Sequence, residues 1–210
     1  MKRTFFCAGL KHRFEGGRLE VLVIRFLQPV RKGNISGPRS IRIKFPGGMQ
    51  ELREVEKLRA IEDAGETPDA LGAEIDAVQD SVLRRELQQE IGGEAFRVIS
   101  HEHLLTICND SDNNRSEQHI QRWDTFDYSG SLRTGVIDDG EDRLYVPEFV
   151  DAKKLHQMPE LLPSARLALE SLFLRLSEKF VKVRDIIVEL GLEPDLNFAK
   201  TNHKFARTVR

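Results

Sequence analysis

The stretch Arg85-Glu86-Leu87-Gln88-Gln89-Glu90-Ile91-Gly92 decides how this chain is read. Apolar residues at helical spacing run from about Ala73 to Ile91, and Gly92-Gly93 stops them, so the spacing predicts a helix that ends here. On that helix Glu86 and Glu90 stand one turn apart, and both carboxylates project from one face. Upstream lies Phe45-Pro46-Gly47-Gly48, a tight-turn signal that closes an apolar strand. Carboxylate oxygens suit hard dications such as Mg2+ or Mn2+, and magnesium is usually held by one or two carboxylates together with substrate phosphates. A glycine turn lets backbone come close to helix and ligand. The two features together suit metal-assisted chemistry on a phosphoanhydride. A glutamate pair at this spacing, taken alone, is usually just a solvated face.

Residues 4–10 and 19–27 are apolar, β-rich runs, and Gly16-Gly17 between them predicts a hairpin. In the second run both alternating sets are mostly apolar, so the strand is expected to be buried on both faces. Residues 28–39, rich in Gly, Pro and Asn, read as a loop. Residues 40–45 return to strand, with Ile41, Ile43 and Phe45 on one face and Arg42 and Lys44 on the other. That basic face either meets solvent or lines an anionic site.

Helical spacing recurs over 51–62 at Leu52, Val55, Leu58 and Ile61. Thr67-Pro68 reads as the start of another helix, with proline at its first position. In the helix that carries the glutamates, Ile75, Val78 and Val82 point one way and Leu83, Leu87 and Ile91 another. Its two halves are therefore expected to bury different faces, with Glu86 and Glu90 between them. Strands are predicted over 96–100, 103–107 and 120–128, with a polar loop over 108–118 and an acidic turn over 138–142. A short strand over 144–147 and a short helix over 150–155 follow. Residues 163–190 read as one long helix or a broken pair.

Composition narrows the function classes. With 40% hydrophobic and 31% charged residues the chain reads as folded rather than disordered. A net charge of −2 gives no general attraction to nucleic acid or to a membrane surface. No apolar run approaches the roughly 20 residues of a membrane span. Lys11, His12 and Arg13 interrupt the apolar N-terminus too early for a signal-peptide core. Cys7 and Cys108 lie outside any metal-type spacing and read as reduced thiols of a cytoplasmic protein. The basic tail, with Lys200, His203, Lys204, Arg207 and Arg210, lacks interleaved stacking residues and reads as a solvated terminus.

The arrangement resembles the Nudix hydrolase family. That family's motif runs Gly, five residues, Glu, seven residues, then Arg-Glu-apolar-any-Glu-Glu-any-Gly-apolar. Gly48 and Glu54 match the first block, and Arg85, Glu86, Leu87, Glu90 and Gly92 match the second. Glu51 sits where many members carry an additional glutamate. Phe45-Pro46-Gly47-Gly48 is similar to the family's entry turn, and Tyr145-Val146-Pro147 to its ending. The likeness extends in order over residues 3–178. Three departures stand out. Thirty residues (55–84), rather than seven, separate Glu54 from Arg85, and about 55–77 is read as an inserted helical segment. Such an insertion costs little chain entropy. Gln89 replaces the first glutamate of the family's pair and offers a carbonyl oxygen without charge. Gly93 replaces an apolar residue.

The resemblance implies an α/β fold, a Nudix-like α/β/α sandwich with a mixed β-sheet, a helical insertion and a C-terminal helical extension. The hydrolase domain would span 1–178, and a helix and basic tail would span 179–210. It implies Mg2+ or Mn2+ on Glu86 and Glu90, with Gln89 a weak ligand and Arg85 oriented by Glu54. Many members recruit a further acidic residue from a later loop. Asp138, Asp139, Glu141 and Asp142 are the candidates here, with Glu141 preferred, although acidic turns are more often just solvated. Arg42 and Lys44, with Gly47 and Gly48, are candidates for contact with substrate phosphates. His101 and His103 have no His or Cys partner at ligand spacing and read as hydrogen-bonded or surface histidines. Trp123, Phe126 and Tyr128 read as core aromatics.

Two function classes remain. One is metal-dependent hydrolysis of the pyrophosphate bond in a nucleoside diphosphate linked to another moiety. The other is a catalytically weak or inactive module that binds a nucleotide or a partner protein, for which Gln89 and the insertion argue. A third class, an interaction protein using the inserted helices, ranks behind both. The expected partner is a nucleotide-type small molecule, without membrane or nucleic acid. A homodimer is compatible with the sequence. The motif addresses the pyrophosphate, whereas other loops choose the rest of the substrate.

Overall fold

A computed structural model of the chain describes residues 2–27, 41–51, 54, 56, 68–110, 117–138 and 143–192. The architecture follows from strand β3 (Arg18–Leu27). Leu19, Val21 and Val23 enter one apolar cluster, Leu22 and Ile24 another, and the four residues from Val21 to Ile24 are fully buried. A strand apolar on both faces needs cover on both. Helix α1 (Pro68–Glu90) supplies it in one cluster. Helices α2 (Ala152–Gln157), α3 (Pro163–Ser177) and α4 (Val181–Glu189) supply it in the other.

Two sheets form the layer between. In the first, β1 (Lys2–Leu10) lies between β5 (Gly47–Met49), antiparallel to it, and β7 (Glu117–Ser129), parallel to it. Strand β6 (Arg97–Asp110) completes this sheet antiparallel to β7. In the second, β3 pairs antiparallel with β2 (His12–Glu15), β4 (Ile41–Lys44), β9 (Arg143–Leu144) and β10 (Glu148–Asp151). Strand β8 (Ile137–Asp138) extends it through β9. This is the mixed-sheet α/β sandwich expected from the sequence.

Several local expectations change. Gly16 and Gly17, at φ +55° and +78°, do make a hairpin turn, but it joins β3 to β2 and not to the run 4–10. The chain leaves the first sheet at Leu10 and enters the second at His12. Strand β1 pairs instead with β7 in a parallel ladder running from Lys2↔Glu117 to Leu10↔Thr125. The long ladder outweighs pairing with the sequence neighbour. The helices expected to start near Thr67 and at Ala73 are one helix, with Gly72 inside it at a cost of about 1 kcal/mol.

The two apolar directions of α1 also meet one core. Ile75, Val78, Val82, Leu83, Leu87 and Ile91 all belong to the same cluster, against Phe5, Cys7, Ile120 and Phe126. The strands expected over 96–100 and 103–107 are the single strand β6, interrupted by irregularities between Val98 and Ser100 and between His103 and Leu105. Strand β6 also takes up the start of the expected polar loop. The expected strand over 144–147 reduces to β9, and the expected helix over 150–155 begins at Ala152, capped by Asp151, which accepts the Lys154 N–H at 2.9 Å. Residues 163–190 are a broken pair, α3 and α4.

The loop 28–39, the helical spacing over 51–62 apart from Glu51, Glu54 and Glu56, and the tail from 193 onward lie outside the described residues. Of the insertion read over about 55–77, only Glu56 and residues 68–77, which form the first part of α1, are described. Trp123 and Phe126 are core residues, and Tyr128 is half-buried and stacks on Phe96 with ring centroids 5.3 Å apart. Both cysteines are free, and burial pushes the Cys7 thiol up to about 12, so it packs as an inert apolar group. No described helix is long and apolar enough to cross a membrane.

Gly9 marks the closest packing between β1 and α1. A Cβ there would stand 2.7 Å from Phe126 Cδ1 and 3.1 Å from Leu87 Cδ2. Gly9→Ala therefore overpacks the core, and its urea midpoint should fall at unchanged slope by an amount equivalent to about 1–3 kcal/mol.

Candidate functional site

The glycine corner is built onto the edge of β1. Ala8 pairs with Gly47 and Cys7 with Gly48, the Gly9 N–H donates to Pro46 O at 2.9 Å, and the Gln50 N–H donates to Phe5 O at 3.0 Å. A side chain at Gly47 would come within 2.4 Å of Cys7 O, and one at Gly48 within 2.3 Å of Glu86 Oε2. Glycine at both positions is what allows the corner to sit between β1 and α1.

Glu86 and Glu90 lie on the inward side of the last turns of α1, 8% and 7% exposed. Glu90 Oε2 accepts the Gly47 N–H at 2.6 Å, and Oε1 accepts a hydrogen bond from Lys44 Nζ, which also donates to Gly47 O at 3.2 Å. Glu86 Oε1 accepts from the Arg85 guanidinium at 2.6 Å. Burial pushes both carboxyls above their ordinary range, against the opposing charges of Arg85 at Glu86 and Lys44 at Glu90.

Arg85 and Glu54 meet although thirty residues (55–84) separate them in sequence. Arg85 Nε and a terminal nitrogen reach the two Glu54 oxygens at 3.3 and 3.1 Å. The same guanidinium donates to Met49 O at 2.9 Å and to Gln89 Oε1 at 3.3 Å, and it stands 3.2 Å from a Glu51 oxygen. Burial alone would lower the Arg85 pKa, but the Glu54 hydrogen bond and the charges of Glu86 and Glu54 outweigh it and raise it. Glu54 is itself buried and accepts the Glu51 N–H at 2.6 Å.

The sequence candidates Glu54, Arg85, Glu86, Gln89, Glu90, Lys44, Gly47 and Gly48 thus converge on one corner. Arg42 is half-buried on β4 opposite Phe26, and its Nε finds no hydrogen-bond partner among the described residues. Glu141, Asp139 and Asp142 lie outside the described residues, and Asp138 belongs to β8. The donor set fits a hard dication. It offers two buried carboxylates of raised proton affinity, one of them packed directly on Gly48, and a neutral amide oxygen at the exposed Gln89.

Two further groups escaped the sequence reading. Arg133 donates to the carbonyls of Glu90, Gly135 and Tyr145, the last at 2.7 Å, while its N–H donates to Ile91 O at 2.9 Å. It satisfies the end of α1, where helical carbonyls lack partners and a cation is favourable. A lone arginine far along the chain carries no sequence signal for this. Beneath the middle of α1, Asp80, His101 and Asp124 bring possible ligand atoms within 4.8 Å of one another. Asp124 is fully buried and accepts from Arg122 Nε at 2.9 Å, from a terminal Arg122 nitrogen at 3.0 Å and from His101 Nδ1 at 2.8 Å. Arg122 also reaches Gln79 Oε1 at 3.2 Å and Asp76 and Asp80 at 3.4 Å. The guanidinium already holds both Asp124 oxygens, so the cluster is an ion-paired brace between α1 and β7. His101 is hydrogen-bonded, as expected.

No family model matches the sequence, and no curated protein matches it at a significant level. Solved structures match in fold. The solution structure of the E. coli ORF135 protein superposes over 84% of this chain and 92% of its own, with TM-score 0.51 and 18% identity. The NUDIX domain of Shewanella oneidensis NrtR, complexed with ADP ribose, does so over 84% and 90%, with TM-score 0.50 and 14% identity. A NUDIX hydrolase from Nitrosomonas europaea covers 81% and 88%, with TM-score 0.51 and 12% identity. At these identities the likeness is one of fold, and the chain has the Nudix fold.

The Asp124 brace has a pH signature. Burial would raise this carboxyl, but hydrogen bonds from His103 and Arg122 and their charges outweigh it and hold it at about 2, below the ordinary 3.8. A depressed pKa means stability that is present above 3.8 and lost as pH falls towards about 2. Urea titrations across this window should show the advantage of the wild type over Asp124→Asn shrinking by about 2 kcal/mol. A gap independent of pH would contradict the ion-paired state.

Proposed function

We propose that this Nudix-fold chain is a divalent-metal-dependent hydrolase of the pyrophosphate bond in a nucleoside diphosphate linked to another moiety. What supports the reading most is the pair Glu86 and Glu90, both buried, facing the Gly47-Gly48 corner, with Arg85 still paired to Glu54 across the insertion. Glu86 and Glu90 would hold Mg2+ or Mn2+, with Gln89 as a neutral donor. When bound, such a dication withdraws charge from the phosphoanhydride oxygens.

The chain's own residues do the rest. Arg85, anchored by Glu54 and Met49 O, fixes the rotamer of Glu86. Glycine at 47 and 48 lets the corner pack directly against β1 and the Glu86 carboxylate, which keeps that carboxylate beside the turn. Arg42 and Lys44, which share one face of β4, would supply positive charge toward an anionic ligand. The NUDIX domain of NrtR, solved with ADP ribose, illustrates the ligand class: a nucleoside diphosphate esterified to a second group.

A nucleotide-binding module without turnover is the second reading. Gln89, uncharged, and Glu90, with both oxygens engaged by Gly47 and Lys44, favour it. A screen of nucleotide sugars, dinucleoside polyphosphates, coenzymes and capped RNA with Mg2+, read by the phosphomonoester products that added alkaline phosphatase converts to inorganic phosphate, separates the two. Any turnover should fall at least about 100-fold in Glu86→Gln and in Glu90→Gln, because even outer-shell changes at metal sites cost 10–100-fold. Nucleotide binding without turnover in any of these mixtures would favour the binding module.

Two more outcomes follow from the site's charge. Gln89→Glu adds a carboxylate beside the pair and should tighten Mn2+ binding measured by calorimetry. Metal needs ionised carboxylates, and burial raises the pKa of both Glu86 and Glu90. Mn2+ affinity should therefore climb with pH over a window lying above the ordinary carboxyl value of 4.5. A profile already flat at 4.5 would contradict the buried, raised pair.

A further inference from the structure

Lys44 shares the corner with the carboxylate pair, and three contacts define where its ammonium sits. Nζ donates to Glu90 Oε1, donates to Gly47 O at 3.2 Å, and stands 5.7 Å from the centroid of the Phe26 ring. The side chain is 18% exposed and that of Glu90 10%. Glu90 Oε2 takes the Gly47 N–H at 2.6 Å. Both oxygens of Glu90 are therefore engaged from within the protein, one of them by a full positive charge. Arg85, a second cation of the corner, is already committed to Glu54, Glu86 and Glu51.

We propose that Lys44 is a tethered counter-cation that competes with divalent metal for Glu90. The inference rests on the reading of Glu86 and Glu90 as the metal ligands. In the metal-free protein the ammonium compensates a carboxylate that would otherwise be buried unpaired, which is costly. A dication that takes the same carboxylate meets a positive charge at contact distance in a water-poor corner, where the repulsion is large. Lysine suits an exchange of this kind. Its charge is a compact point on a flexible four-carbon stem, so it leaves by side-chain rotation alone, whereas a planar arginine fork would hold the carboxylate bidentately. With Gln89 in place of a third carboxylate, Glu90 carries a large share of the site's charge, and its occupation by Lys44 weighs correspondingly more on metal affinity.

Calorimetric titration of Mn2+ into the full chain, at fixed pH and ionic strength, tests this with four proteins: wild type, Lys44→Gln, Lys44→Arg and Glu90→Gln. Lys44→Gln should bind Mn2+ roughly tenfold more tightly than wild type, because the competing charge is gone. Lys44→Arg should bind no more tightly than wild type, and Glu90→Gln should lose binding. Unchanged or weaker binding in Lys44→Gln, with binding still lost in Glu90→Gln, overturns the role of Lys44 and leaves the metal ligands standing. Absence of Mn2+ binding in wild type and both Lys44 variants overturns both readings.

The wild-type chain offers a second readout that does not depend on a variant folding. Acetylation of Lys44 by acetic anhydride, followed by mass spectrometry, should accelerate several-fold when saturating Mg2+ displaces the ammonium from Glu90. An unchanged rate at saturation overturns the proposal.

Discussion

Glu86 and Glu90 lie on the side of α1 that faces the protein, so their charge has to be compensated where water is scarce. Compensation comes from three directions. Arg85 serves Glu86 from the same helix, Lys44 serves Glu90 from β4, and the Gly47 N–H serves Glu90 from the glycine corner. The corner can come this close only because a Cβ at Gly48 would overlap the Glu86 carboxylate and one at Gly47 would overlap β1. Sheet edge, turn and helix end are therefore mutually dependent, and the candidate site is the place where they meet.

The rest of the packing holds α1 in the register this requires. Along its length, residues from Ile75 to Ile91 bury into one cluster with β1 and β7. Beneath its middle, Arg122 and Asp124 brace it against β7 through Asp76, Gln79 and Asp80. At its end, Arg133 links the Glu90 carbonyl to those of Gly135 and Tyr145. A helix pinned by apolar contact along one face and by cations near its middle and end has little freedom to slide. Its two carboxylates accordingly keep a fixed relation to the corner.

Burial also sets the chemistry. Both carboxyls have raised proton affinity, the environment in which a carboxylate gains most from a cation. The protein supplies one such cation itself in Lys44. The uncharged Gln89 lies outside the buried pair, exposed, and touches the site through Arg85. The departure from the family motif therefore removes charge from the rim and leaves the buried pair intact.

The motif spacing, the glycine turn and the two-sided apolarity of residues 21–24 were legible in the amino-acid order, because each depends on local geometry: one helical turn, one tight corner, one alternating strand. The convergence of Glu54 with Arg85 could be expected from resemblance, yet only the folded chain brings them to hydrogen-bond distance, since thirty residues (55–84) intervene. The pairing of β1 with β7, the single core met by α1, the roles of Arg133 and Asp124, and the contact of Lys44 with Glu90 were not legible. Each joins residues remote in sequence, and a lone charged residue looks alike whether it meets solvent or a buried carbonyl. Local periodicity and turn chemistry belong to the chain by itself. Which charges are buried together, and what compensates them, is decided by tertiary packing, because desolvation depends on the elements that cover a group and not on its neighbours in sequence.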